Sequence, residues 1–219
     1  MFRWMLAWTI TLGLLGASGA MVTAQDTDDD ATASTRTNVH YFLPFASGEL
    51  SPTLEVTAEE TGDCDHTSLD AAARPDAWRC YPGGGVLDPC FENPFGDVEQ
   101  PPVLACSSSP FATDIVSFTT TAPLPRDTDK AGGTDAFPLP EDVERPDPLP
   151  WALELANGER CVILSGATQV FAGMRVNYGC EGQGSVIGEV DESGDIWLVQ
   201  YLAPDGVATE LVEVRATWF

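Results

Sequence analysis

Apolar and polar positions alternate most regularly between Trp151 and the end of the chain. Asn157-Gly158 divides two apolar runs there, and Asn-Gly is the dipeptide that most readily takes positive φ at both central positions of a type I′ turn. A two-residue hairpin is the expectation. In that register Leu153 faces Val162 and Trp151 faces Leu164, so these four residues line a core face while Cys161 shares the other face with Ala152 and Ile163. Val176, Tyr178 and Cys180 then fall on one side of a following strand. Further runs, Ser185 to Val190, Ile196 to Ala203 and a last one to Phe219, are separated by turns at Glu192-Ser193-Gly194 and Pro204-Asp205-Gly206, which makes a meander. In the last run Val212, Val214, Ala216 and Trp218 alternate with Glu213, Arg215 and Thr217, predicting one buried and one wet face.

The pattern is weaker upstream. Tyr41 to Phe45 is a dense apolar cluster, and Leu54, Val56 and Ala58 alternate with Glu55, Thr57 and Glu59 as in a one-sided strand. Thr61 to Ser109 is rich in Gly, Pro, Asp and Ser, so its elements should be short, with Trp78 and Phe91 as core plugs. Ala71-Ala72-Ala73 favours a helical turn, which Pro75 limits. Strand character returns at Ile115, Val116 and Phe118. The fold class expected is mainly β: small antiparallel sheets or a meander, sandwich- or barrel-like, stapled by disulfides and carrying long irregular loops.

The cysteines change the picture most. Cys64, Cys80, Cys90, Cys106, Cys161 and Cys180 are even in number and none lies in the N-terminal apolar stretch, which is the pattern of an oxidised framework. Sequential pairing, Cys64 with Cys80, Cys90 with Cys106 and Cys161 with Cys180, closes three short loops, each contributing about 3 kcal/mol in the chain-entropy model. Crossed pairing among the first four is the alternative.

Arg3 followed by an apolar run and small residues ending in Val22-Thr23-Ala24 reads as an export signal over residues 1–24, cut after Ala24, with Ala20 as a second candidate and an uncleaved anchor as the competing reading. Residues 25–39 read as an acidic, disordered spacer. A cysteine-rich N-terminal β part follows at 40–125, then a Pro- and acid-rich linker or loop at 126–150, then a C-terminal antiparallel β part at 151–219; residues 40–219 can equally be one composite domain.

Thirty-four acids against ten lysines and arginines give the 219-residue chain a net charge of −24. Nucleic acid and anionic membrane surfaces are thereby disfavoured as partners, since phosphate binding needs clustered cations. Motifs for chemistry are few. The acids at Asp26, Asp28, Asp29 and Asp30 lack the glycine turn and distal Glu of a calcium loop. Gly182 to Gly188, GQGSVIG, fits neither a nucleophile elbow nor a dinucleotide fingerprint and is read as turn or bulge glycines. His40 and His66 read as surface or structural residues. Among the acids Glu181, Glu189, Asp191 and Asp195 form the most plausible group for carboxylate chemistry or calcium, set against an acidic hairpin turn. Trp151, Tyr178, Trp197, Tyr201 and Trp218 at strand spacing read as core before they read as a carbohydrate-stacking face.

At WRC (Trp78–Cys80), DPCF (Asp88–Phe91), PLP (Pro123–Pro125), LANGERC (Leu155–Cys161), SGAT (Ser165–Thr168) and NYGC (Asn177–Cys180), the chain resembles a group of uncharacterised secreted bacterial proteins. The resemblance covers most of Leu54 to Phe219. It implies an extracellular location and no assigned activity, so it carries over no catalytic, cofactor-binding or metal-binding residue. The expected role is a non-catalytic extracellular binding or surface-interaction domain with an extracellular partner and no cofactor. The alternatives are a small extracellular hydrolase using acids near Asp191 and Asp195, and a structural envelope protein.

Overall fold

The hairpin at Asn157-Gly158 forms, but with three loop residues instead of two. In the computed structural model, which describes residues 35–96, 100–125 and 147–219, Leu155 N–H donates to Glu159 O (2.9 Å) and Gly158 N–H to Leu155 O (3.0 Å). Gly158 is at φ +89° while Asn157 is not in the left-handed region; instead Asn157 Oδ1 accepts the Glu159 N–H at 3.1 Å. A three-residue loop with one left-handed glycine is the next commonest hairpin closure after the two-residue one. The extra residue shifts the register by one and so reverses every facing assignment. Leu153 pairs with Cys161 and Ala152 with Val162, so Cys161 joins Leu153, Leu155 and Tyr178 in the core. The expected Trp151/Leu153/Val162/Leu164 face does not form: Val162 packs toward a different cluster and Leu164 is exposed.

All regular structure among the described residues is strand. Two short pieces, β1 (Asn38–His40) and the hairpin β2 (Phe45–Ala46)–β3 (Glu49–Leu50), precede a closed five-stranded barrel made of β4 (Glu55–Thr67), β5 (Ala77–Pro82), β6 (Leu87–Glu92), β7 (Val103–Cys106) and β8 (Asp114–Thr120). An up-and-down ring of odd strand number needs one parallel pair, and it is β4 with β8. The second ring runs through β9 (Ala152–Leu155), β10 (Arg160–Ile163), β12 (Met174–Cys180), β13 (Ser185–Asp191), β14 (Trp197–Leu202) and β15 (Glu210–Trp218), closing antiparallel from β15 to β9; β11 (Val170–Phe171) is a side strand on β12. β1 adds in parallel to the end of β15. Both rings lie in one compact unit, Ser34–Phe219. No helical turn forms at Ala71–Ala73, where the chain makes hydrogen-bonded turns.

The six cysteines are joined in sequence order, Cys64–Cys80, Cys90–Cys106 and Cys161–Cys180. Each bridge spans neighbouring strands, and Cys90 with Cys106 and Cys161 with Cys180 are direct register partners. The core of the first barrel consists of Cys64, Trp78, Cys80, Cys90, Leu104, Cys106, Phe118 and Leu124, so half of it is cystine. That of the second is aliphatic and tyrosyl, with Leu153, Leu155, Val186, Val199, Val214, Tyr178 and Tyr201 around Cys161.

Two strand expectations and the extent of the spacer need correction. The alternation at Leu54 to Glu59 does not give a one-sided strand: Glu55 to Thr61 are all exposed, and among the described strands this half of β4 pairs only with β8. Thr217, expected on the wet face, is buried; β15 is irregular between Val214 and Ala216 and then runs between β1 and β9, where Thr217 Oγ1 donates to Ala152 O (3.3 Å). Order also begins inside the stretch 25–39 expected to be a disordered spacer. Thr37 is buried, its Oγ1 donates to Val214 O (2.7 Å) and accepts from Trp197 N–H (2.8 Å), and its own N–H donates to Asp195 O (2.8 Å). The export signal at 1–24, residues 25–34 of the spacer and residues 126–146 of the linker lie outside the described residues. At the linker's end Pro150 is buried and its carbonyl accepts the Tyr178 hydroxyl at 2.8 Å.

The barrels meet on a small aromatic cluster. Phe42, Phe91 and Trp151 lie 5.2 to 5.5 Å apart by ring centroid over Ala71 and Ala77. Arg74 caps this seam: its Nε and Nη2 form a fork on Asp76 (2.7 and 2.6 Å), its Nη1 donates to Phe42 O (2.9 Å) and Phe219 O (3.0 Å), and its guanidinium lies 5.1 Å from the Phe91 ring centre.

Two outcomes follow from this packing. Because cystine makes up half of the first core, hydrogen exchange under reducing conditions should show Cys64 to Cys106 losing protection before the strands after Trp151. Phe91→Ala removes a fully buried ring from the seam and should cost about 3–5 kcal/mol, measured by urea unfolding of the oxidised protein.

Candidate functional site

Two places in the fold concentrate chemistry: an acid pair near the seam and a cleft at one end of the first barrel. The acid pair is built from the turn after β4. Ser68 Oγ accepts the Ala71 N–H (2.8 Å) and so caps the turn, while its proton goes to Asp88 Oδ1 on β6. Asp88 also accepts from Leu69 N–H (3.1 Å) and Asp70 N–H, and Arg79 Nη1 on β5 lies 3.7 Å away. With its side chain only 6% exposed, Asp88 is held above the ordinary carboxylate range by burial, which outweighs these donors.

Asp70 reaches the other way. Ser165, in the loop after β10 of the second ring, hydrogen-bonds its carboxyl, yet Oδ1 is buried without a partner. Burial, then the neighbouring Asp88 charge, push its pKa up to about 6, against the lowering effects of Ser165 and Arg79. The Ser165 loop is fixed from beneath by Arg175 of β12, whose Nη2 donates to Leu164 O (2.8 Å) and Gly166 O (3.1 Å). The pair thus places a carboxyl of raised pKa between the two rings. Two hydroxyls stand on the pair, Ser68 on Asp88 and Ser165 on Asp70, but Ser68 Oγ also caps the turn, and every oxygen of Asp88 is committed to the turn that carries Asp70.

The cleft has a volume of about 850 Å³ and is walled by Pro101, Pro102, Val103 and Leu124, with Asp76 and Glu92 on its rim. Asp76 is the carboxylate that grips Arg74, so the cleft and the seam share one side chain. Its character is apolar with an acidic rim.

The residues singled out from the sequence are not brought together. Asp191 caps its own turn by accepting the Ser193 N–H (3.0 Å), and the Ser193 hydroxyl and amide hold its pKa down, which is the wrong direction for a general acid. Asp195 accepts Thr37 through its main-chain carbonyl, and Glu181 and Glu189 are exposed. The acidic hairpin turn is therefore what these residues form. Of the aromatic set, Trp151, Tyr178 and Tyr201 are buried, and Trp218 stacks on His40 (5.1 Å) and meets Phe111 edge-on (4.8 Å). His66 lies beside Asp65 (3.6 Å) at the surface. In GQGSVIG, Gln183 makes a left-handed turn, Gly184 leaves room for the Tyr201 hydroxyl, and Gly188 takes φ +71° where β13 loses register.

Asp70, Arg74, Asp88 and Ser165 carried no local signal. Asp88 lies within DPCF and Ser165 within SGAT, but their meeting depends on which strands become neighbours. No family model, curated protein or solved structure matches the chain. Among the described residues no helix is long and apolar enough to cross a membrane.

Asp70 yields a pH prediction. Its folded pKa lies above the unfolded value, so the folded state holds the proton more tightly, and stability falls as pH rises from about 4 through 6. The full shift is discounted because about a third of the group is solvated, leaving about 2 kcal/mol. Asp70→Asn should stabilise the protein by that amount at pH 7.5 and leave it nearly unchanged at pH 4, read from urea midpoints at the two pH values.

Proposed function

We propose that the chain is an exported, disulfide-stapled binding domain without catalysis of its own, of the same kind as the secreted bacterial proteins that its cysteine motifs resemble. The cleft beside the first barrel carries this reading. It is lined by prolines, by Val103 and Leu124, and by the polar residues Asn93, Thr121 and Glu92, the mixture that concave ligand sites use: apolar burial for affinity and a few polar groups for orientation. Of the acids with raised pKa, Asp88 is occupied by hydrogen bonds to the turn that carries Asp70, Asp70 is held by Ser165, and Glu192 is raised by burial and the nearby Asp147 charge; none of them lines the cleft. Three disulfides suit an oxidising extracellular compartment, reached through removal of the signal near Ala24. The net charge of −24 favours neutral or cationic ligands over nucleic acid and anionic membranes.

The purified mature chain, screened by thermal shift against neutral glycans, calcium and cationic peptides, tests this. A cleft ligand at 100 times its Kd stabilises by about 2.7 kcal/mol, a rise in Tm of roughly 5–10 °C. Val103 is 42% exposed, so Val103→Arg should fold, fill the cleft and abolish the shift, with the ligand recovered intact by mass spectrometry. A ligand recovered cleaved, or one that stabilises Val103→Arg equally, would overturn the reading.

A further inference from the structure

Among the described residues no strand pairs with the free side of the first half of β4. Glu55 to Gly62 pairs with β8 along one side, whereas on the other side β5 pairs with β4 only from Gly62 onward and ends at Pro82. There Pro82 turns the chain out through Gly83-Gly84-Gly85, and a Cβ on Gly83 or Gly84 would meet nothing within 4 Å. Glu55 to Thr61 are consequently exposed in a row. The ladder with β8 is irregular between Val56 and Ala58, so the regular part of the free side runs from Ala58 to Thr61.

An open strand edge presents main-chain donors and acceptors that an incoming strand can satisfy, and proteins guard such edges with charge. Here the guards are all of one sign. Glu55, Glu59 and Glu60 stand along the edge, and β4 contains no lysine or arginine. A second copy of this edge is repelled, while a strand of opposite charge meets three carboxylates and the half-exposed Val56.

We propose that the β4 edge docks an extended cationic segment of another polypeptide, which adds as a strand antiparallel to β4 in the line that β5 leaves at Pro82. Main-chain hydrogen bonds supply the attachment, and lysines or arginines facing Glu55, Glu59 and Glu60 supply the selection. This surface is separate from the cleft, and its occupancy does not depend on what the cleft holds.

Short synthetic peptides and the intact oxidised chain decide it. A peptide of repeated Val-Lys-Lys, which carries lysines on both faces of its strand, should bind, slow amide hydrogen exchange at residues 56–61, and weaken at least tenfold with Glu55→Lys/Glu59→Lys/Glu60→Lys. Its Glu/Val counterpart should not bind. N-methylation of every second peptide amide should abolish binding in one frame and spare it in the other, because only one set of amides faces β4. Absent binding, protection confined to other residues, or equal binding of both methylated frames would overturn the proposal; the peptide arms stand even if the charge-reversed variant fails to fold.

Discussion

Arg74 is the constraint on which the arrangement of the two rings depends. A guanidinium 7% exposed carries a desolvation cost of several kcal/mol unless its donors are met. They are met by groups from three separate parts of the chain: the Asp76 carboxylate two residues on, the Phe42 carbonyl of the N-terminal segment, and the Phe219 carbonyl beyond β15. Its flat face lies over Phe91 and near Tyr41. Any sliding of one ring on the other would strand a buried charge, so the seam has one well-defined register. The Phe42–Phe91–Trp151 cluster adds apolar area beneath it, but such contacts tolerate small displacements that a bidentate ion pair does not.

With that register set, the rest divides by how each ring is held. The first has few large apolar residues and uses cystine as interior, so that covalent bonds and core packing coincide at Cys64, Cys80, Cys90 and Cys106. The second has enough Leu, Val and Tyr to pack a core around a single bridge. Small domains commonly compensate a thin core with disulfides, and here the two regimes sit side by side in one unit. The cleft, the acid pair and the open β4 edge all belong wholly or partly to the cystine-held ring. The ring with the better aliphatic core supplies the rigid support, through Ser165 and Trp151.

The functional features were less legible than the fold. Asp191 and Asp195 stood out because they are close in sequence, but closeness in a turn satisfies an acid locally, and Ser193 lowers the Asp191 pKa. Asp70 and Asp88 are eighteen positions apart by number and draw their properties from burial and from each other. Neither burial nor that approach has a local signature. The same holds for Arg74, one of ten cations in the chain, whose neighbours in sequence do not reveal that Phe42 and Phe219 reach it.

What the residues determined unaided was the β class, the turn positions from Pro150 onward, the plug roles of Trp78 and Phe91, and a cysteine spacing that closes short loops. All of these are local: alternation, turn chemistry and loop length act over a few residues. Only the tertiary structure decided that Asn157-Gly158 closes a three-residue loop, since the one-residue shift sets Cys161 opposite Leu153 and so on the core side with Leu155 and Tyr178. It alone decided that the alternating Glu55 to Glu59 would face water on both sides, because β5 ends at Pro82 and leaves that half of β4 paired only with β8 among the described strands. Strand partnership is a long-range free-energy balance, and no short window of residues contains it.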